Sequence, residues 1–109
     1  MTIKTLAVLA FTLTTVACAG TMHMASVNEA FKKYEKQDYT ATLKLIAQAE
    51  STGEMTVEQQ VQLIYLKALA YEGLGDEALA ASLFSHIAEQ HPDSQYAYLA
   101  LARQAAGTK

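Results

Sequence analysis

The sequence predicts an all-α fold in which five helices between residues 26 and 109 pack as two and a half antiparallel pairs. Only five glycines and one proline occur among the 109 residues, whereas β-rich domains need frequent turn residues. Apolar residues recur at three- and four-residue spacing, which is the period of an amphipathic helix. Capping signatures precede most of the predicted helices. These observations together favour a single small helical domain.

Composition and charge limit the class of protein. The chain is 51% hydrophobic and 17% charged, with a net charge of -3, and its length suits one domain. Its densest basic cluster is Lys32 and Lys33 with Lys36. Because nucleic-acid binding needs a concentrated basic face, the sequence argues against a nucleic-acid partner.

The first 17 residues have the features of a secretory signal peptide. Lys4 supplies the positive charge, and an uncharged, mostly apolar stretch follows from Thr5 to Ala17. A membrane-spanning helix needs about 20 apolar residues, so this stretch is too short for one. We therefore expect residues 1–17 to direct export.

Two routes of processing are open at the end of this segment. Thr15-Val16-Ala17-Cys18 resembles the lipobox of bacterial lipoproteins, which implies lipidation of Cys18. Ala17-Cys18-Ala19 is also an A-x-A site, and cleavage before Gly20 would remove the cysteine. Cys18 is the only cysteine, so it cannot form an internal disulfide, and several acyl chains on it would anchor the protein stably. On the lipoprotein route, residues 18–25 form a tether and residues 26–109 the domain.

The first two helices are predicted from caps and spacing. Ser26 and Glu29 form a capping box for a helix that reaches about Lys36. Asp38 can cap a second helix, from Tyr39 to about Glu50. The predicted inner faces are Ala30, Phe31 and Tyr34 in the first helix, and Leu43, Ile46 and Ala47 in the second.

The third helix is the longest that the sequence predicts. Thr56 and Gln59 form a second capping box, and Gly75 follows the expected end near Leu74 because glycine tolerates the left-handed stop. The predicted inner stripe is Val57, Val61, Ile64, Ala68 and Tyr71.

Two further helices complete the domain. Asp76 caps the fourth helix, with Ala80, Phe84 and Ile87 facing inward, and Pro92 lies just past its end. The fifth helix begins after Asp93-Ser94 and reaches about Ala106.

The turns between paired helices repeat along the chain. Gln37-Asp38-Tyr39 and Gly75-Asp76-Glu77 occupy equivalent turns that are 38 residues apart (76 minus 38). A repeat of this length that consists of two helices indicates a helical solenoid.

The second unit resembles a tetratricopeptide repeat (TPR). The resemblance is strongest over residues 64–92 and extends over residues 26–106, although Thr42 stands where the repeat usually has alanine. The matching positions are Ala68, Tyr71, Gly75-Asp76, Ala80, Phe84 and Pro92, and the next helix continues the pattern at Tyr98, Leu101 and Ala102. The resemblance implies a short right-handed solenoid.

The resemblance also implies a binding groove, because the first helix of each TPR pair lines a concave face that holds peptides or helices. The corresponding positions in this chain are Phe31, Tyr34, Gln62, Tyr65, Leu69, Glu72, Tyr96, Leu99 and Arg103. Aromatic residues beside an arginine are typical of protein contact sites. The set lacks the lysines and asparagines with which chaperone-type members bind a terminal carboxylate.

We therefore expect a non-enzymatic adaptor or assembly factor of the bacterial cell envelope. Its partner would be another envelope protein or peptide, or a second copy of the chain, and a lipid on Cys18 would hold it to the membrane on the periplasmic side. Ser85 and His86 are helix neighbours that point apart, and no orienting acid accompanies them, so no catalytic site and no cofactor are predicted.

One alternative function comes from a different class of protein. Met22, His23 and Met24 combine thioether and imidazole groups, which suit copper. A soluble periplasmic protein that binds copper or another metal weakly through this N-terminal segment is the second hypothesis.

Overall fold

A computed structural model describes residues 25–107, and within this range the chain is all-helical. No residue in the range lies in a β-strand, which confirms the prediction of an all-α fold. The five helices are α1 (25–35), α2 (Tyr39–Ser51), α3 (Val57–Gly73), α4 (Glu77–Gln90) and α5 (Gln95–Gly107).

Helices α2, α3 and α4 are capped at their starts by the predicted side chains. Asp38 and Asp76 each accept a hydrogen bond from the backbone N–H three residues on, at 3.2 Å in both cases. Thr56 Oγ1 accepts from the Gln59 N–H at 3.1 Å, and Gln59 Oε1 accepts from the Thr56 N–H at 2.9 Å. Residue 25 is already helical, so Ser26 lies within the assigned range of α1 rather than before it.

The two turns inside the helix pairs have the same geometry, 38 residues apart (75 minus 37). Gln37 and Gly75 have φ angles of 62° and 85°. Each donates its N–H to the carbonyl three residues back, at 2.9 and 3.0 Å. The aspartate that follows each donates to the carbonyl five residues back, at 2.9 and 3.0 Å. Both turns are therefore Schellman motifs, and their last residue is also the cap of the next helix.

The second helix of each pair buries side chains at corresponding positions. The buried residues of α2 are Thr42, Ile46 and Ala49, and those of α4 are Ala80, Phe84 and Ile87. Each pair of counterparts lies 38 residues apart. The predicted inner face of α2 was partly wrong, since Ala47 is exposed and Leu43 half-buried.

Helix α3 lies at the centre of the domain and contributes to two clusters of buried side chains. Val61 and Ala68 join one cluster with Phe84, whereas Leu63 and Leu66 join another with α1 and α2. The predicted single stripe was therefore incomplete, because a central helix packs on more than one side. Its first member was also misplaced, since Val57 is 62% exposed.

Helices α3 and α5 lie side by side and run in the same direction. Near the start of both helices, Ser94 Oγ donates to Glu58 Oε1 at 3.2 Å. Near their ends, Arg103 Nε donates to Glu72 Oε1 at 2.8 Å. Residues near the start of α3 thus contact residues near the start of α5, and residues near the two helix ends contact each other, as in a parallel pair.

Helix α4 packs antiparallel to α5. The Gln104 side chain, near the end of α5, donates to the Ser85 hydroxyl at 2.9 Å and to the Ala81 carbonyl at 3.3 Å. Tyr39, the first residue of α2, similarly lies against Gly73, the last residue of α3, where an added Cβ would stand 2.4 Å from the tyrosine ring. A side chain at position 73 would therefore displace the Tyr39 ring.

Candidate interaction surface

A tyrosine from each of α1, α3 and α5 lies on one side of the domain, and we call Tyr34, Tyr65 and Tyr96 the tyrosine cluster. The ring centroids of Tyr65 and Tyr96 are 5.4 Å apart, and the Tyr65 ring also lies 5.8 Å from the buried ring of Phe84. Tyr34 packs against the same core and interacts electrostatically with Tyr65. All three are half-buried, so each joins the core while part of its ring faces solvent.

Burial alters the ionisation of two members of the cluster. Partial desolvation raises the pKa of Tyr65 above the ordinary value of 10.0, although the positive charge of Arg103 opposes the shift. Desolvation also raises the pKa of Tyr96, and the negative charge of Glu58 adds to that effect. A hydrogen bond with the Gln62 side chain acts in the opposite direction on Tyr96. Both hydroxyls are therefore neutral at physiological pH and available as hydrogen-bond donors.

An ion pair borders the tyrosine cluster. Both Nε and Nη2 of Arg103 donate to Oε1 of Glu72, which joins α5 to α3. This hydrogen bonding raises the pKa of the Arg103 guanidinium. Because the two side chains remain partly exposed, the pair is a polar edge of the surface rather than a source of much stability.

A cavity of about 490 Å³ opens beside this ion pair, between α3, α4 and α5. Ala80 and Phe84 contribute its apolar lining, while Glu72, Glu77 and Arg103 give it charged groups. No motif in the sequence predicts this cavity. The small side chains of Ala80 and Ala81 could have indicated it, because two alanines leave room between helices.

Six of the predicted groove residues are brought together by the structure, and three are not. Those that converge are Tyr34, Gln62, Tyr65, Glu72, Tyr96 and Arg103. Leu69 is only 8% exposed and belongs to the core, so it offers little surface to a partner. Phe31 packs in the other core cluster, with α1 and α2. Leu99 is exposed on α5, with no contact to the tyrosine cluster among those described.

The two histidines of the described range lie closer than helical spacing suggests. The ring centroids of His86 and His91 are 6.0 Å apart, with the rings edge to face. Helix α4 ends at Gln90 and His91 has non-helical backbone angles, so the chain turns the second ring back toward the first. Among residues 25–107, no group of three or more potential metal ligands comes together.

Several predictions concern residues outside the described range. These are the signal peptide, the lipidation of Cys18 and the metal-binding segment Met22-His23-Met24. Within the described range, no helix combines the length and apolar character that crossing a membrane requires.

Comparisons with protein-family models, with curated proteins and with solved structures find no match to this chain.

Proposed function

We propose that this protein is a short TPR-like adaptor or assembly factor of the bacterial cell envelope. It binds a partner protein or peptide on the face formed by α1, α3 and α5. The observation that carries the proposal is the half-exposed tyrosine cluster beside the Arg103–Glu72 ion pair.

The arrangement of the helices supports a solenoid. Three contacts join α3 to α5, namely Glu58 with Ser94, Tyr65 with Tyr96, and Glu72 with Arg103. The partners in these contacts are separated by 36, 31 and 31 residues, close to the 34-residue period of TPR units. Parallel first helices at this offset, with second helices behind them, are what stacking of helix pairs requires.

The chemistry of the face supports protein recognition. Tyrosine provides a large and fairly rigid contact area, and its hydroxyl forms hydrogen bonds at the edge of that area. The charged residues that line the neighbouring cavity are Glu72, Glu77 and Arg103, and its apolar floor is Phe84. Arg103 is paired with Glu72, and Glu77 supplies a second carboxylate, which favours a partner side chain with an apolar stem and a positively charged end.

The envelope location depends on the N-terminal segment. A lipid on Cys18 would hold the domain at a membrane surface through residues 18–25, and the tyrosine face would remain free for a periplasmic partner. Intact-mass measurement of the exported protein tests this step. A diacyl or triacyl adduct on Cys18 is expected, whereas an unmodified chain that starts at Gly20 would exclude the lipid anchor.

Two tyrosines of the same helix provide a matched test of the binding face. Tyr96 belongs to the tyrosine cluster, whereas Tyr98, two residues on, is 75% exposed and lies outside it. Tyr96→Ala should reduce capture of a partner from envelope extracts by about tenfold or more, the effect expected for loss of a contact worth about 1.4 kcal/mol.

The control in this experiment is Tyr98→Ala, which removes the same side chain from another face of α5. It should recover the same partner in an amount close to that of the wild type. Circular dichroism must show both variants folded. Equal recovery by wild type and Tyr96→Ala, or loss with Tyr98→Ala alone, would rule out binding at the tyrosine cluster.

A further inference from the structure

The cavity between α3, α4 and α5 adjoins the tyrosine cluster. Phe84 forms part of its lining, and the Phe84 ring lies 5.8 Å from the ring of Tyr65. Arg103 also lines the cavity, and its positive charge acts on the Tyr65 hydroxyl. A partner segment that lies on the tyrosine cluster is therefore within reach of the cavity.

The cavity has the size and the walls of a pocket for one long side chain. Its volume is about 490 Å³, within the range of about 300–1,000 Å³ in which protein pockets hold small ligands. Ala81 of α4 and Ala106 of α5 are both exposed, and they line the cavity with methyl groups. The Gln104 side chain joins these two helices by hydrogen bonds to the Ser85 hydroxyl and the Ala81 carbonyl, so the two walls are held together.

Charge distinguishes among the side chains that such a pocket can take. Within residues 25–107, the charged side chains that line it are Glu72, Glu77 and Arg103, so two carboxylates stand against one guanidinium. Arg103 is hydrogen-bonded to Glu72, whereas Glu77 is exposed and forms no ion pair with the rest of that range. The whole chain also has a net charge of -3, which attracts cations. A positively charged side chain is thus favoured over an acidic one.

We propose that this cavity is the specificity pocket of the binding face and takes a lysine or arginine side chain of the partner. The apolar stem of that side chain lies against Ala81 and Ala106, and its charged end pairs with Glu77. The inference rests on the proposed function, because the tyrosine cluster supplies the main contact area while the pocket selects which segment is bound. Partner segments are therefore expected to carry a basic residue beside the residues that contact the tyrosines.

Nuclear magnetic resonance titration of the full chain in a mild detergent tests the pocket without a partner protein. The probes are the N-acetyl methylamides of lysine, arginine and norleucine, and norleucine has an aliphatic stem like that of lysine without the ammonium group. A basic probe should shift the backbone amide signals of Ala81 and Ala106 and bind with a Kd of about 1 mM, as expected for a ligand of its size. Norleucine should bind about threefold more weakly, because it forms no ion pair.

Two glutamates of α4 provide matched variants. Glu77→Gln should abolish the preference for the basic probes over norleucine. Glu89→Gln is the control, since it removes the same charge from an exposed side chain near the other end of α4, and it should preserve the preference. Glu77 also lies in the first turn of α4, where a carboxylate stabilises a helix. A purely structural role of Glu77 would lower stability in Glu77→Gln without changing the preference.

Three results would overturn the pocket. These are equal affinity of the wild type for the basic and the norleucine probes, an unchanged preference in Glu77→Gln, and equal loss of the preference in Glu77→Gln and Glu89→Gln. None of them bears on Tyr96→Ala, whose effect on partner capture tests the tyrosine face by itself. Conversely, a basic preference that only Glu77→Gln abolishes, together with full partner capture by Tyr96→Ala, would support the pocket and refute the tyrosine face. The two proposals can therefore fail separately.

Discussion

At the scale of single residues, the two Schellman turns show how one backbone conformation is met by different side chains. Gly75 adopts a φ of 85° without steric cost, whereas Gln37 adopts 62° at the equivalent position with a Cβ. A side chain in the left-handed region costs about 1–2 kcal/mol. The first turn therefore carries strain that the second avoids.

Substitutions at these two positions of positive φ give a prediction for stability. Gln37→Gly should raise the free energy of unfolding by about 0.5–1 kcal/mol, because relief of strain exceeds the added flexibility of the unfolded chain. Gly75→Ala should lower it by about 1–2 kcal/mol. No atom lies within 4 Å of a Cβ added at Gly75, so a steric clash would not contribute to the loss of stability. Urea denaturation measures both changes, and a loss of stability in Gln37→Gly would contradict the account of strain.

Single residues also show what the sequence could and could not predict. The caps at Asp38, Thr56 and Asp76 were predicted correctly because a cap depends on neighbours within three residues. The positive φ of Gln37 was not predicted, since glutamine gives no local signal for it. The inner face of α2 was misjudged at Ala47, because the orientation of a short helix depends on what packs against it.

At the scale of helices, α3 and α5 differ in how fully they are covered. Helix α3 is buried on two sides, so the single stripe predicted from its sequence accounts for only part of its buried surface. Helix α5 buries Ala97 and Ala100 and leaves Tyr98 exposed. A periodic pattern predicts that a helix has an apolar face, but it does not predict how many sides of the helix are covered by other helices.

The contact between α3 and α5 gives a prediction for pH dependence. Burial raises the pKa of Tyr65 and Tyr96 in the folded protein, while the unfolded chain ionises near the ordinary value of 10.0. Above that pH the folded state holds more protons than the unfolded state, so stability is complete below pH 10.0 and falls as pH rises beyond it. The urea midpoint should decline in that range.

Absorbance of ionised tyrosine tests the same prediction directly. The native protein should show a component that ionises above pH 10.0, from Tyr65 and Tyr96, and this component should be absent in denaturant. Tyr65→Phe should reduce this component, because it removes one of the two hydroxyls whose pKa burial raises. Identical ionisation curves for the native and denatured protein would contradict the burial of Tyr65 and Tyr96.

At the scale of the whole molecule, the parallel course of α3 and α5 determines which side chains meet. The 38-residue repeat predicted helix pairs, and the TPR resemblance placed Tyr65, Tyr96 and Arg103 on one face. The structure brings these residues together. The cavity beside Phe84 and the burial of Leu69 depend on how closely neighbouring helices approach. Side-chain volumes across several helices decide that distance, so spacing along one helix does not predict it.

The measurement that tests the account most directly is a set of nuclear Overhauser contacts between the side chains of α3 and α5 in solution. The account predicts contacts between the rings of Tyr65 and Tyr96, together with contacts between Glu72 and Arg103 near the ends of both helices. Contacts of Arg103 with Glu58 instead, at the opposite end of α3, would show that the two helices run antiparallel. That result would contradict the parallel packing of α3 and α5 and the proposed binding face that depends on it.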